Sequence, residues 1–90
     1  MSGRFRWALD AGALHLYGLV DPAAADAETI VTEADRIARA QGAAVCVATL
    51  VEPDPWIEAL CRCGYEVDSS EPTVKGGEVR SEVTLVRIVG

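Results

Sequence analysis

The sequence predicts a small α/β domain whose elements follow the order β-β-α-β-α-β-β. Three observations indicate this order. Two strand-like runs flank a turn signal at residues 10–12, two helix starts combine aspartate with proline, and one later run is apolar on both faces. A chain of 90 residues forms one domain, so we expect residues 1–90 to build a single mixed sheet of about five strands with two helices.

The first part of the chain predicts a hairpin followed by a helix. Arg4–Asp10 and Ala13–Val20 are short apolar stretches separated by a tight turn, which is typical of a β-hairpin. Asp21 followed by Pro22 predicts a helix start, because aspartate caps free N–H groups and proline suits the first helical position. Apolar residues then recur at helical spacing until Gly42, which suits a left-handed C-cap.

The middle of the chain predicts a buried strand and a second helix. Ala43–Leu50 lacks polar alternation except at Thr49, so it predicts a central strand. It follows a strand and a helix, and we therefore expect a right-handed crossover and a parallel pair. Asp54 and Pro55 repeat the helix-start pattern, and Gly64 ends the apolar stripe that follows.

The C-terminal part predicts a short strand, a loop and a long strand. Tyr65–Val67 begins a strand, and Asp68–Gly77 is rich in turn residues, which indicates a polar loop. Val79–Val89 alternates apolar and polar residues for much of its length, as an antiparallel strand with one wet face does. We place this final strand near a sheet edge.

Charge and cysteine content narrow the function. The net charge is −6, from 8 basic and 14 acidic residues, which argues against nucleic acid as a partner. The longest apolar run is too short to cross a membrane, and no signal peptide precedes it. The chain has 3 cysteines, an odd number, which we expect to be reduced thiols. The absent signal peptide and the reduced thiols predict a cytoplasmic protein.

Four segments together resemble the C-terminal half of the GCN5-related N-acetyltransferase (GNAT) fold. They are the strand His15–Pro22 (HLYGLVDP), the helix Ala23–Gly42, the strand Ala43–Leu50 and the helix with its following strand, Trp56–Val67 (WIEALCRCGYEV). The last segment is similar to the family's helix that ends in Leu-Gly-Phe or Leu-Gly-Tyr. The resemblance implies the fold, acetyl-CoA as cofactor and acyl transfer as activity.

The chain departs from that family where its chemistry resides. The family's pyrophosphate loop has a basic residue and glycines, whereas Asp21–Glu28 (DPAAADAE) has neither and places carboxylates at Asp21, Asp26 and Glu28. The family often has a tyrosine on the second helix that acts as the general acid. The corresponding position in this sequence is Leu60, which cannot protonate a leaving thiolate. The frequent asparagine falls near Pro53. The resemblance therefore implies the fold while these residues argue against the activity.

STAS domains are a minor alternative. Gly18–Asp21 (GLVD) is similar to the end of a strand in that family, which also continues into a helix and a buried strand. The STAS pattern then requires a phosphorylatable hydroxyl and a glycine, whereas Glu52–Pro55 (EPDP) contains neither. The long C-terminal hairpin also fits STAS domains poorly.

We therefore expect a non-enzymatic binding or structural module that assembles with itself or with a protein partner, as a virion component or an inhibitor of a host protein. A minimal acyl-CoA-dependent N-acyltransferase is the alternative, with acetyl-CoA as its cofactor. We assign no catalytic residue and no metal site, since His15 is a lone histidine and Cys61 and Cys63 lack the spacing of a zinc knuckle.

The predicted partner surface combines aromatic residues with the final strand. Tryptophan is frequent at binding hot spots, although Trp56 also suits the core of so small a domain. An unprotected edge strand would offer free backbone groups to a partner strand. The residues that we assign to this surface are Trp7, Trp56, Val79, Thr84, Val86 and Ile88.

Overall fold

The computed structural model describes residues 5–19 and 26–89, which form one five-stranded mixed sheet with two helices. The strand order is β1-β2-β3-β5-β4, in which β2 and β3 are parallel and the other neighbours are antiparallel. This confirms the predicted fold class and parallel crossover. The elements are β1 (Arg6–Asp10), β2 (Ala13–Tyr17), α1 (Ala27–Gln41), β3 (Val45–Val51), α2 (Pro55–Arg62), β4 (Glu66–Lys75) and β5 (Glu78–Ile88).

The hairpin of β1 and β2 has a two-residue turn. Ala11 and Gly12 both have positive φ, 51° and 79°, and Asp10 lies opposite Ala13. This backbone pattern is that of a type I′ turn, whose twist matches the twist of the strands that it joins. The hairpin that the sequence predicts is thus present, with β2 described as a strand to Tyr17.

Helix α1 begins after Asp26. The Asp26 carboxylate accepts the Glu28 N–H at 3.2 Å, and Gly42 closes the helix with a φ of 74°. The predicted start at Asp21 and Pro22 lies outside the described residues. Gly42 was predicted correctly because a left-handed C-cap strongly favours glycine. Helix α2 begins as predicted, with Asp54 as N-cap and Pro55 in the first turn.

Both helices pack on one face of the sheet. Alternate residues of the three central strands point to that face, and the buried stripes of α1 and α2 cover them. The main contributors are Leu14, Leu16, Cys46, Ala48, Val83 and Leu85 from the strands and Ile30, Ala34, Trp56 and Leu60 from the helices. Within the described residues, no helix covers the opposite face, where Val45, Val47 and Val86 are half-buried.

The predicted loop Asp68–Gly77 was wrong, because β4 runs through it from Glu66 to Lys75. Strand β4 pairs along its length with β5 and is almost wholly exposed on both faces. Its side chains therefore lack the apolar alternation that marks a half-buried strand. Pro72 is tolerated because β4 lies at the edge of the sheet. The actual turn is Gly76-Gly77, with φ values of 62° and 80°.

The prediction that the final strand lies near a sheet edge was also wrong. Strand β5 is inserted between β3 and β4, and Thr84 lies opposite Thr49 on one side and Ser69 on the other. In the described part of the chain the edges are β1 and β4. A strand's position in the order depends on pairing between distant segments, which local alternation does not encode.

We expect Thr84→Pro to destabilise the whole domain. Proline has no N–H and cannot continue the ladders of an interior strand, so a carbonyl of a neighbouring strand would lose its donor. The free energy of unfolding should fall by about 1–3 kcal/mol relative to Thr84→Ala, which keeps the N–H. Chemical denaturation of the two variants measures the difference, and equal stabilities would contradict the interior placement of β5.

Candidate functional site

The parallel ladder between β2 and β3 ends before β3 itself does. Their ladder ends at the Leu16–Ala48 pair, whereas β3 continues to Val51 in register with β5. In a βαβ unit the helix N-terminus lies at this same end, and such clefts are where α/β sheets commonly bind ligands. We therefore take the space between the two strand ends and the start of α1 as the candidate site.

The start of α1 is acidic. The Asp26 carboxylate accepts the Glu28 N–H at 3.2 Å and the Thr29 hydroxyl at 3.4 Å, and Glu28 adds a second carboxylate in the first turn. Negative charge stabilises a helix N-terminus, but it also repels a phosphate that would use the same N–H groups. The predicted carboxylate Asp21 lies outside the described residues.

A shallow groove along α1 is also acidic. It has a volume of about 420 Å³ and contains three carboxylates and one guanidinium, which is already paired with Glu33 at 3.6 Å. The net charge of this groove favours cations over phosphates. The residues that line it are Asp26, Glu28, Thr29, Thr32, Glu33 and Arg36.

Helix α2 supplies core side chains instead of a proton donor. Leu60 is fully buried against the sheet, and Trp56 is 2% exposed. The Leu60 position therefore holds an apolar side chain in the core and has no group that could protonate a leaving atom. Placing Trp56 on a partner surface was wrong, because the apolar stripe of α2 faces the sheet. Pro53 is exposed in the segment before the helix.

The other predicted partner-binding residues do not form one surface. Trp7 and Val79 point to the helix side of the sheet, on strands near opposite edges. Thr84, Val86 and Ile88 point to the open face from the interior strand β5. Val79 and Ile88 are exposed, at 76% and 77%, near opposite ends of that strand. Partner binding by these exposed residues stays a prediction. It cannot occur by strand addition to β5, because β5 has a paired strand on both sides.

An ion pair that the sequence reasoning missed joins the helices to the sheet. The Arg87 guanidinium donates to both carboxylate oxygens of Asp35 at 2.9–3.2 Å and to the Cys63 carbonyl at 3.3 Å. Asp35 lies four residues before Arg39, a spacing that predicts an ion pair on the helix surface. That prediction is wrong, because Asp35 is nearly buried in the stripe of α1 that faces the sheet. The sequence held one signal for this ion pair: the apolar stripe of α1 and the apolar face of β5 each contain one charged residue, Asp35 and Arg87.

Gly64 lies directly beside this contact. Its φ is 97°, and a Cβ built at this position would lie 2.6 Å from Nη1 of Arg87. The glycine that ends α2 therefore permits both the left-handed turn and the approach of the guanidinium. The glycine in the segment WIEALCRCGYEV thus has a local structural reason in this chain.

The histidine and the cysteines are separated. His15 lies opposite Val47 on the open face, whereas Cys46 is buried on the helix face. Cys61 is exposed on α2. The residues that the structure describes contain no group of three metal-ligating side chains. His15 instead stacks with Tyr17, with ring centroids 6.5 Å apart.

Tyr65 and Cys46 form a buried polar pair beneath the Arg87 contact. The Tyr65 hydroxyl makes no hydrogen bond of standard geometry, and its neighbour, the Cys46 thiol, donates to the Ala34 carbonyl at 3.8 Å. Burial raises the pKa of Tyr65 far above its ordinary value, and burial also raises the pKa of Cys46. Neither group is suited to release a proton near neutral pH.

The comparisons with known proteins agree with this topology. No protein-family model matches the sequence, and no curated protein matches it. Solved acetyltransferase structures match the fold. The chain has a GNAT-like fold. No described helix is long and apolar enough to span a membrane.

Three solved structures illustrate the match to the GNAT fold. The yncA protein from Salmonella typhimurium, solved with acetyl-CoA, has a TM-score of 0.75 at 20% identity over 96% of this chain and 56% of its own. Nourseothricin acetyltransferase has a TM-score of 0.75 at 12% identity over 96% and 56%. The ribosomal-protein-S18-alanine N-acetyltransferase from Escherichia coli has a TM-score of 0.72 at 8% identity over 100% and 72%. This chain spans 54% of the length of a putative phosphinothricin N-acetyltransferase that it also matches, and 56% of the yncA protein.

We expect Asp35 and Arg87 to be energetically coupled. Arg87→Met leaves a nearly buried carboxylate without its partner. The free energy of unfolding should therefore fall by about 1–3 kcal/mol, which is less than for a fully buried pair because Arg87 is partly exposed. The double variant Asp35→Leu/Arg87→Met should lose less than the sum of the single variants. Arg36→Met, at the surface pair with Glu33, is the matched control and should change stability by about 0.5 kcal/mol or less. Additive losses in denaturant titrations would contradict the coupling.

We expect Tyr65 to make the domain less stable in alkali. Because its folded pKa is raised, the hydroxyl ionises first in the unfolded chain, so stability falls as the pH rises above 10. Tyr65→Phe should reduce the slope of this loss by up to about 1.4 kcal/mol per pH unit. Tyr17→Phe, which alters an exposed tyrosine, should keep the parent slope. Parallel curves for parent and Tyr65→Phe would contradict this account.

Proposed function

We propose that the chain is a non-enzymatic binding or structural module on a GNAT-like fold, which assembles with itself or with a protein partner. The observation that carries this proposal is the state of the α1 N-terminus. Asp26 uses its own carboxylate to cap the helix, and Glu28 adds negative charge in the first turn. A cofactor phosphate would have to displace the cap and approach two carboxylates.

The burial of Leu60 supports the same proposal. A proton donor for acyl transfer must reach the leaving atom, and this side chain is enclosed in the core. Tyr65, five residues later in a buried position, has a pKa raised by burial. The acidic start of α1 and the buried Leu60 are independent observations, and both argue against acyl transfer.

A minimal acyl-CoA-dependent N-acyltransferase is the second candidate, and one observation favours it. The ladder between β2 and β3 ends at the Leu16–Ala48 pair, at the end of the sheet where α1 begins. Two of the matched structures were solved with acetyl-CoA or CoA. In this candidate, acetyl-CoA would supply the acyl group, and helix N–H groups other than those capped by Asp26 would hold its phosphates.

A virion component and an inhibitor of a host protein are the two forms of the proposed role. A virion component assembles from many copies of one chain, whereas an inhibitor binds a different protein. The acidic surface of the chain, with a net charge of −6, favours a basic partner in the inhibitor form. The oligomeric state of the purified chain is therefore the first property that separates them.

We expect acetyl-CoA at millimolar concentration to leave the melting temperature unchanged. A ligand present at 100 times its dissociation constant would add about 2.7 kcal/mol to the free energy of unfolding, which thermal denaturation detects readily. ADP at the same concentration is the control, because it carries a pyrophosphate without pantetheine. A shift with acetyl-CoA alone would contradict the proposal and support the acyltransferase.

Asp26→Asn provides a matched variant for the same measurement. Asparagine keeps the cap but removes the charge, so the helix should remain intact. If the variant gains an acetyl-CoA shift that the parent lacks, electrostatic exclusion at Asp26 is the cause. If the parent already shows the shift and releases CoA in the presence of amines, the non-enzymatic proposal is wrong.

A further inference from the structure

Strand β1 exposes an unpaired edge. In the described part of the chain β1 pairs with β2 alone, and all five of its residues are exposed. Trp7 and Leu9 are 40% and 42% exposed although they lie on the side of the sheet that carries the core. An exposed edge with large apolar side chains is a template for another strand.

The turn determines which backbone groups of β1 point outward. In a two-residue hairpin the residues that flank the turn, here Asp10 and Ala13, form a hydrogen-bonded pair. Alternation then directs the backbone groups of Arg6, Ala8 and Asp10 toward β2. The N–H and C=O groups of Trp7 and Leu9 therefore point to the free edge, where a partner strand can use them.

The sequence of β1 is complementary to itself in the antiparallel direction. When two copies of Arg6–Asp10 are aligned about Ala8, each Arg6 lies opposite Asp10 of the other copy, and each Trp7 lies opposite Leu9. Ala8 lies opposite Ala8, where a non-hydrogen-bonded pair brings two strands closest and a small side chain fits. The same register pairs Trp7 with Leu9 through the outward backbone groups. Cross-strand pairs of opposite charge and of apolar side chains are those that stabilise a sheet.

The charged ends of β1 are available for this pairing. Neither Arg6 nor Asp10 forms an ion pair with another residue of the described ranges 5–19 and 26–89. The Arg6 guanidinium lies close to Gly18, within 3.3–3.4 Å of the position that a Cβ would take there. The guanidinium therefore rests on the β2 side of the strand in the single chain, and the side chain must turn to the free edge to meet Asp10 of a second copy.

The other edge is protected. Strand β4 contains Pro72, a register shift between Val67 and Ser69, and charged side chains at Asp68 and Glu71. Proline, bulges and charges are the devices that prevent strand addition. Strand β1 has no proline and no bulge, so the two edges differ in their capacity to pair.

We infer that β1 is a homodimer interface, in which β1 of one copy pairs antiparallel with β1 of a second copy about Ala8, joining the two sheets into one. This inference rests on the proposed function, because it identifies a second copy as the partner. Its isologous symmetry closes the assembly at two copies. A five-residue contact is small, so the dimer should form reversibly as concentration rises.

A charge exchange tests the register. Arg6→Asp and Asp10→Arg each place like charges opposite one another at both ends of the interface, and each should raise the dimer dissociation constant about tenfold or more. The double variant Arg6→Asp/Asp10→Arg restores both opposite-charge pairs and should recover the parent value. An equimolar mixture of the two single variants should also dimerise. Sedimentation equilibrium measures all four samples.

A cross-link provides a second, independent measurement. In a Cys61→Ser/Cys63→Ser background, Ala8→Cys should form an intermolecular disulfide under mild oxidation, because directly opposed positions of a non-hydrogen-bonded pair have closely spaced Cβ atoms. Thr73→Cys, on the protected edge strand β4, is the control and should cross-link far less. Circular dichroism of each variant confirms that it remains folded.

The outcomes separate this inference from the proposed function. A parent chain that stays monomeric at near-millimolar concentration overturns the β1 interface. A dimer whose dissociation constant is unchanged by the charge exchange, and which forms no Ala8→Cys cross-link, overturns it as well. Neither result bears on acetyl-CoA binding, which the thermal denaturation measures separately. A chain that dimerises through β1 and also binds acetyl-CoA would retain the interface and lose the non-enzymatic proposal.

Discussion

The Arg87 guanidinium connects three parts of the fold. It binds the Asp35 carboxylate on α1 and the Cys63 carbonyl at the end of α2 from its position on the interior strand β5. Because a buried or nearly buried carboxylate is costly without a partner, Asp35 requires β5 to be in register with β3. The contact therefore fixes both helices on the same face of the sheet, and Gly64 leaves the space for it.

The placement of both helices on one face determines which surfaces remain available. The helix face holds the continuous core, and the opposite face holds half-buried valines without a covering element in the described residues. The insertion of β5 between β3 and β4 leaves β1 and β4 as the edges. Only one of these edges combines exposed apolar side chains with a lack of proline and bulges, so the topology makes the two ends of the sheet unequal.

The candidate site shows how a fold and its chemistry can be separated. The ladder between β2 and β3 still ends on the side of the sheet where α1 begins. The side chains at this position, Asp26 and Glu28, stabilise the helix and oppose an anionic ligand. A fold is maintained by core packing, whereas ligand affinity depends on a few groups at its surface, so these groups can change while the core keeps its pattern.

The sequence by itself determined the element order, the caps at Asp54 and Gly42, and the buried character of Ala43–Leu50, because these depend on local backbone preference and local periodicity. It also identified Leu60 as a position without a proton donor. Only the tertiary structure decided that Asp68–Lys75 is a strand, that β5 is interior and that Asp35 binds Arg87. The reason is that an exposed edge strand takes its hydrogen bonds from a partner strand and leaves no apolar alternation in the chain. The ion pair joins residues 52 positions apart, so a charge on each apolar stripe does not by itself show which residue is its partner.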